Sequence, residues 1–261
     1  MQKEIIIKDK QQIVNIRRSG KYLTELLTKL QKATKPGMML IELEFIAEDF
    51  IKKNQVKWAF KWYNGFPANL CLSVNECLVH GIPDSYTLQK GDILKIDCGI
   101  NYQWGITDAA ITVVVWWELA NPLGHTLAKT TKKALDIAIK HIGPGKKMFD
   151  YSHAVHQHII NAGFSVIEKL TGHGVGVKVH EPPYIHNHPH HPDTKTTTFQ
   201  AGMVIALEPI TAIESKDFEL RKHSERNLYT KKWDIWAHRE YTVLVTDKGY
   251  EILAWVTNEM I

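Results

Sequence analysis

Apolar residues return at helical spacing twice along the chain: Ile13, Ile16, Leu23, Leu27 and Leu30 near its start, and Leu127, Ala134, Leu135, Ala138 and Ile142 beyond its middle. Each set predicts an amphipathic helix with one face turned to a core. A Pro-Gly break follows each, Pro36-Gly37 and Pro144-Gly145, with an acid five residues after the glycine (Glu42, Asp150) and a second helical run over 43–51 and 151–160. Further on, Gly91 and Gly202 each open an apolar strand that carries an acid six positions later, Asp97 and Glu208. The two copies are offset by 108 residues at the first pair of glycines and by 111 at the second. The pattern predicts one domain over 1–261 built from two related α+β halves, roughly 10–117 and 122–250. Their strand-borne acids are expected to converge on one site.

Residues 91–99 and 106–117 read as paired strands, joined by turn chemistry in Asn101-Tyr102-Gln103-Trp104-Gly105. With the turn centred between Tyr102 and Gln103, Asp97 faces Asp108 directly, and like charges opposed on one face destabilise a hairpin. A divalent cation between them turns repulsion into coordination, because hard cations favour carboxylate oxygens. The alternative is an edge hairpin with two solvated acids. Asp97, Asp108, Glu208 and Glu240 all sit in or beside strand-like apolar stretches. Burying unpaired carboxylates is costly, so four of them point to hidden cations. With His173 they suggest a two-metal hydrolase.

Bulk properties narrow this little. A net charge of +4, from 32 basic and 28 acidic residues, is too small to argue nucleic-acid binding. No apolar run has membrane-spanning length, and Met1-Gln2-Lys3-Glu4 lacks a secretory pattern. Cys71, Cys77 and Cys98 have no zinc-site spacing and fit reduced thiols in a cytoplasm. His186, His188, His190 and His191, interrupted by Pro189 and Pro192, read as an exposed loop whose metal binding would be incidental. His153, His156 and His158 point several ways round their helix and read as surface or core filler. His80 precedes the first acid-bearing strand. His173 lies between glycines that permit close backbone approach, and His180 follows seven residues later. The run Gly172–Gly176 is a poor phosphate loop, because no helix signal follows it.

Five strings then match a known pattern in order: Asn75-Glu76 through His80-Gly81-Ile82-Pro83; Gly91-Asp92-Ile93 through Asp97; Gly172-His173-Gly174-Val175-Gly176 with His180-Glu181-Pro182-Pro183; Gly202-Met203-Val204 through Glu208-Pro209; and Glu240 ahead of Thr242-Val243-Leu244-Val245-Thr246-Asp247. Over nearly its whole length the chain resembles the type I methionine aminopeptidases of the short bacterial kind. The resemblance implies the α+β pita-bread fold, two pseudo-symmetric halves around a dinuclear metal site. It implies that Asp97 chelates one metal, that Asp108 and Glu240 bridge both, and that His173 and Glu208 complete the other. Cobalt, manganese, iron or zinc would suit that set. It further implies that Glu208 moves the proton of the attacking water, that His180 binds the scissile group, and that His80 contacts the substrate backbone. Tyr63, Phe66 and Cys71 would wall the methionine pocket. The implied substrate is a nascent polypeptide N-terminus with a small second residue, met by a cytoplasmic monomer at or near the ribosome, with no membrane partner.

The chain also departs from that family. Phe60 replaces a smaller residue, Val179 an aromatic, and the usual Gln-aromatic-Glu-His becomes His238-Arg239-Glu240-Tyr241. The expected pocket tryptophan has three candidates, Tyr229, Trp233 and Trp236. The His-rich loop replaces a Gly/Pro/Lys-rich connection. Only 28 positions separate His180 from Glu208, which favours type I over type II enzymes with their helical insertion. Two alternatives stay open. X-Pro aminopeptidases and prolidases share fold and metals but usually carry a large N-terminal domain, and non-catalytic pita-bread modules typically lose ligands.

Overall fold

Asp9 starts the first helix, α1 (Lys10–Ala33), through a capping box: its carboxylate accepts the Gln12 N–H at 2.8 Å while the Gln12 side chain accepts the Asp9 N–H at 2.9 Å. The computed structural model describes residues 4–220, 227–230 and 234–256. After α1 come α2 (Leu40–Asn54), β1 (Lys57–Trp58), β2 (Leu70–Val74), β3 (Ile93–Tyr102) and β4 (Gly105–Val114). Asn121 caps the next helix, α3 (Pro122–Ala138), which has proline at its first turn. Then follow α4 (Met148–Asn161), β5 (Ser165–Val166), β6 (Thr171–Gly174), β7 (Glu181–His186), the single turn α5 (Asp193–Thr196), β8 (Val204–Leu207) and β9 (Ile210–Ala212). The described chain closes with β10 (Phe218–Leu220), β11 (Leu228–Thr230), β12 (Trp236–His238), β13 (Tyr241–Thr246) and β14 (Gly249–Ala254).

All strand pairs are antiparallel. β4, β3 and β2 form the first half's sheet, with β1 on its edge, and β14-β13-β8-β6-β7 forms the second half's. Each sheet lies under its own pair of helices. Leu23, Leu27, Leu43 and Ile51 pack on Ile96 and Ile111 in one core, and Leu135, Tyr151 and Val155 on Ile205 and Val243 in the other. The same hydrogen bonds recur in both halves. Gly37 N–H donates to Leu88 O (2.8 Å) as Gly145 N–H does to Phe199 O (2.9 Å), and Gly91 N–H donates to Val115 O as Gly202 N–H does to Val245 O, both at 2.9 Å. All four glycines have positive φ, between 78° and 86°, which explains why both copies need glycine there.

The halves are stitched directly to one another. Along β4 and the 238–242 segment, Asp108 N–H donates to Thr242 Oγ1 (2.9 Å), Glu240 N–H to Ala110 O (3.0 Å) and His238 N–H to Thr112 Oγ1 (2.9 Å). Threonine hydroxyls stand in for backbone groups at both ends of this antiparallel seam, and Asp108 and Glu240 lie on it.

Two expectations are corrected. The hairpin turns on Gln103-Trp104, both with positive φ (46° and 68°), so Tyr102 pairs with Gly105 and Asp97 with Ala110. This two-residue turn matches strand twist, although neither residue is the usual Asn or Gly. Asp97 and Asp108 are therefore diagonal neighbours on one face and not directly opposed. The His-rich segment is also not an exposed loop throughout, since His186 and His188 are only 7% and 6% exposed. Ser152 Oγ on α4 donates to His186 O (2.6 Å), which draws the segment inward.

Candidate metal centre and active-site cavity

Each acid reaches the centre for a local reason. Asp97 projects from mid-β3 opposite Ala110, and Asp108 from β4 opposite Gly99, two residues along β3 from Asp97. His173 pairs with Ala206 in the β6–β8 ladder, so Glu208, two residues on, lies diagonally on the same face. Gly172 and Gly174 flank His173 because the sheets leave no room for side chains. A Cβ at Gly172 would meet the Ala206 carbonyl oxygen at 2.3 Å, and one at Gly174 the Pro182 oxygen at 2.4 Å. Close approach, not positive φ, selects these glycines.

Ligand atoms of Asp108, His173 and Glu240 lie within 4.8 Å of one another. His173 Nε2 is 3.3 Å from Glu208 Oε1 and 3.9 Å from Asp108 Oδ2. Its Nδ1 contacts the Gly174 carbonyl at 2.9 Å, so Nδ1 carries the proton and Nε2 keeps its lone pair. Asp97 and Asp108 are diagonal neighbours across β3 and β4 and line the same cavity. Burial raises the carboxyls of Asp97, Asp108, Glu208 and Glu240 above the usual range, and neighbouring acids raise Asp97, Asp108 and Glu240 further. Burial lowers His173 to about 3.

These groups line one cavity of about 750 Å³ that also receives Tyr63, Phe66, Cys71, His80, His180 and His238. His180 Nδ1 is 3.1 Å from the Tyr63 hydroxyl, and its ring meets that of His173 edge-on at 4.3 Å between centroids. His80 has positive φ (63°), fixed by its N–H to Cys71 Sγ at 2.9 Å. Tyr229 and Trp236 do not line the cavity, and Trp236 packs in the core with Val79 and Ile210. Trp233 lies outside the described residues.

Residues 14–247 match the model of Metallopeptidase family M24. The chain belongs to this family. Among M24 relatives, it is 34% identical to a methionine aminopeptidase of Clostridium acetobutylicum, over 95% of this chain and 98% of that protein. To methionine aminopeptidase 1 of Bacillus subtilis it is 35% identical, over 97% and 100%. The structure of the Thermotoga maritima methionine aminopeptidase superposes with a TM-score of 0.90 at 34% identity, covering 96% of this chain and 99% of that one. The Pyrococcus furiosus prolidase shares the fold, with a TM-score of 0.76 at 23% identity over 97% of this chain and 66% of that one.

An M24 metallopeptidase implies divalent metal, and the residues fit one. Asp97 Oδ1, Asp108 Oδ1 and Glu240 Oε1 are buried without a hydrogen-bond partner, an arrangement that cations relieve. The donors are oxygen-rich with one imidazole lone pair and no thiolate. The sequence reading missed His238 as a member of the site. It is 3% exposed, with Nε2 3.6 Å from Glu208 Oε2 and 3.9 Å from Glu240 Oε2. Its signal was the spacing of two from Glu240, which puts both on one face of an extended segment.

Proposed function

We propose that the chain is a metal-dependent aminopeptidase that removes N-terminal methionine from nascent polypeptides with a small second residue. The observation that carries this reading is the convergence of four carboxylates, the buried Asp108 and Glu240 and the part-buried Asp97 and Glu208, with His173 on one cavity walled by Tyr63, Phe66 and Cys71. Asp97, Asp108, His173, Glu208 and Glu240 would hold two divalent ions, from among cobalt, manganese, iron and zinc. Bound there, the ions supply an acidified water and positive charge beside the scissile carbonyl.

The protein's own groups do the rest. Glu208 takes the attacking water's proton and passes it to the departing amine. With Tyr63 donating to Nδ1 of His180, the proton stays on Nε2, which hydrogen-bonds the scissile oxygen as negative charge develops. Burial first, then His80, lowers the His180 pKa, which favours this neutral donor. His80, held by Cys71, contacts the substrate backbone beyond the scissile bond. The thioether packs against Tyr63, Phe66 and Cys71.

The enzyme works as one domain, with pseudo-repeats roughly 10–117 and 122–250, in the cytoplasm as a monomer that meets chains at or near the ribosome. Three unpaired, buried cysteines agree with a reducing compartment. No described helix is long and apolar enough to cross a membrane. Metal-reconstituted protein offered Met-Ala-Ser and an X-Pro dipeptide tests the reading. Methionine release from the first alone supports it. Cleavage of the second points to the prolidase class, and no cleavage with any of these metals points to a binding module.

A further inference from the structure

The His-rich segment after β7 has no part in the proposed chemistry, yet it is a built structure. His186 and His188 are buried, and Tyr151 on α4 donates to Asn187 Oδ1 at 3.2 Å. A ring nitrogen of His188 contacts the Glu168 carbonyl at 3.1 Å, just beyond β5. Imidazoles then follow one another across the surface. His156 of α4 meets His190 edge-on at 5.0 Å and 85°, His190 and His188 are 5.5 Å apart, His188 and His186 5.6 Å, and His186 stacks on His191 at 3.8 Å and 16°. Burial, first among the causes, lowers His156, His186 and His188 below the ordinary value, so these rings keep free lone pairs at neutral pH.

Two trios have ligand atoms that all lie within 4.8 Å of one another: His156, Glu168 and His190, and His186, His191 and Asp193. Ring geometry separates them. A metal must lie in the plane of each imidazole that binds it. Rings stacked at 16° cannot both aim at one ion, whereas rings at 85° can. His191 Nδ1 also accepts the Asp193 N–H at 3.3 Å, which removes one candidate lone pair.

We propose that His156, Glu168 and His190 form a second, peripheral site for a borderline divalent cation of the zinc type. Two imidazoles and a carboxylate are a known zinc donor set, which leaves a fourth position for water. Bonds of about 2.0–2.1 Å require only a modest rotation of these side chains to bring the donors together. The ion would clamp α4, the segment after β5 and the His-rich segment to one another. Asn187, three residues before His190, donates to the Glu208 backbone carbonyl at 3.0 Å, which ties the clamped segment to the strand end that carries Glu208.

The test titrates zinc into the full-length protein against a chromophoric chelator. Wild type is compared with the double variants His156→Gln/His190→Gln and Asp108→Asn/Glu240→Gln. One equivalent should disappear from the first variant and persist in the second, which keeps this site separate from the fate of the aminopeptidase reading. Its affinity should fall by more than the roughly 10–100-fold that accompanies loss of a ligand's outer partner. Identical isotherms for wild type and His156→Gln/His190→Gln would mean adventitious surface binding only and overturn the proposal. Should that variant misfold, long-range proton–nitrogen spectra of wild type decide. Zinc must move the ring nitrogens of His156 and His190, and movement confined to His186 and His191 overturns the assignment.

Discussion

Glu208 divides its two oxygens between two imidazoles, Oε1 toward His173 and Oε2 toward His238. On the proposed reading Oε1 would share a metal with His173, leaving Oε2 for a proton or a hydrogen bond. Glu208→Gln keeps the shape and removes the base, and kcat for methionine release is expected to fall about 10²–10⁴-fold. Stopped-time assays on Met-Ala-Ser check this, and near wild-type turnover would remove Glu208 from its role. His238 Nε2 faces the outer oxygen at 3.6 Å, beyond hydrogen-bond distance, and is expected to act as a positioning residue that closes on it when the site is loaded. His238→Leu should weaken metal affinity and lower kcat by about 10–100-fold with little change in KM, whereas His238→Gln, which restores an N–H donor, should recover most of both. Calorimetric metal titration beside the kinetics separates this from general damage, because a merely structural role would not be rescued by glutamine. From sequence, the acids were legible one by one as charges in apolar company. His238 was visible only as unusual company for Glu240, since its approach to Glu208 depends on the seam between the halves.

At the scale of elements, the helices were legible because their 3.6-residue period is local, and the landmark glycines because φ is local too. The β3–β4 register was not, since neither Gln103 nor Trp104 favours positive φ. Strand twist selects the turn together with the Asn101 side chain, which accepts the Trp104 N–H at 3.0 Å, and Asn15 of α1, which donates to the Gln103 carbonyl at 2.9 Å. The inward course of 186–188 was equally hidden, being set by Ser152 and Tyr151 from α4. The turn that carries His180 shows what such long-range support does. Glu181 opens β7, and its Oε1 accepts the N–H groups of Val177 and Lys178 at 2.6 and 2.7 Å. Its Oε2 meets Lys8 at 2.5 Å, with both side chains almost wholly buried. Glu181→Ala leaves that lysine charge with only the Ile6 carbonyl, at 3.1 Å, and two amides without a partner. It is expected to reduce unfolding free energy by about 3–5 kcal/mol, seen as a lower urea midpoint at unchanged slope. A loss below about 1 kcal/mol would mean that water replaces the carboxylate.

Across the whole molecule, the seam from Asp108–Thr242 to Thr112–His238 sets one half's acids against the other's, so the centre concentrates charge that folding alone does not neutralise. Burial raises the Asp97 carboxyl to about 7 and pushes Asp108, Glu208 and Glu240 up as well. Unfolded, these groups release their protons near about 4. A raised folded pKa means that the native state still holds protons the unfolded chain has lost, so stability falls as pH climbs from the unfolded toward the folded value. The histidines work in the opposite direction. Burial lowers His173 to about 3 and His238 to about 4, and they withdraw stability as pH falls below about 6.5. About a unit above that pH these two rings are neutral in both states. Burial also lowers Lys95 to about 8, so this one group returns stability as pH rises, but it stands against four carboxyls. Metal-free protein is therefore expected to melt at a lower temperature at pH 8 than at pH 6.5. Saturating divalent ions, which bind the folded state, should reverse the loss. Calorimetry with and without chelator checks this, and a chelated Tm that stays flat or rises over the interval would show that the acids ionise without penalty and need no cation to hold them together.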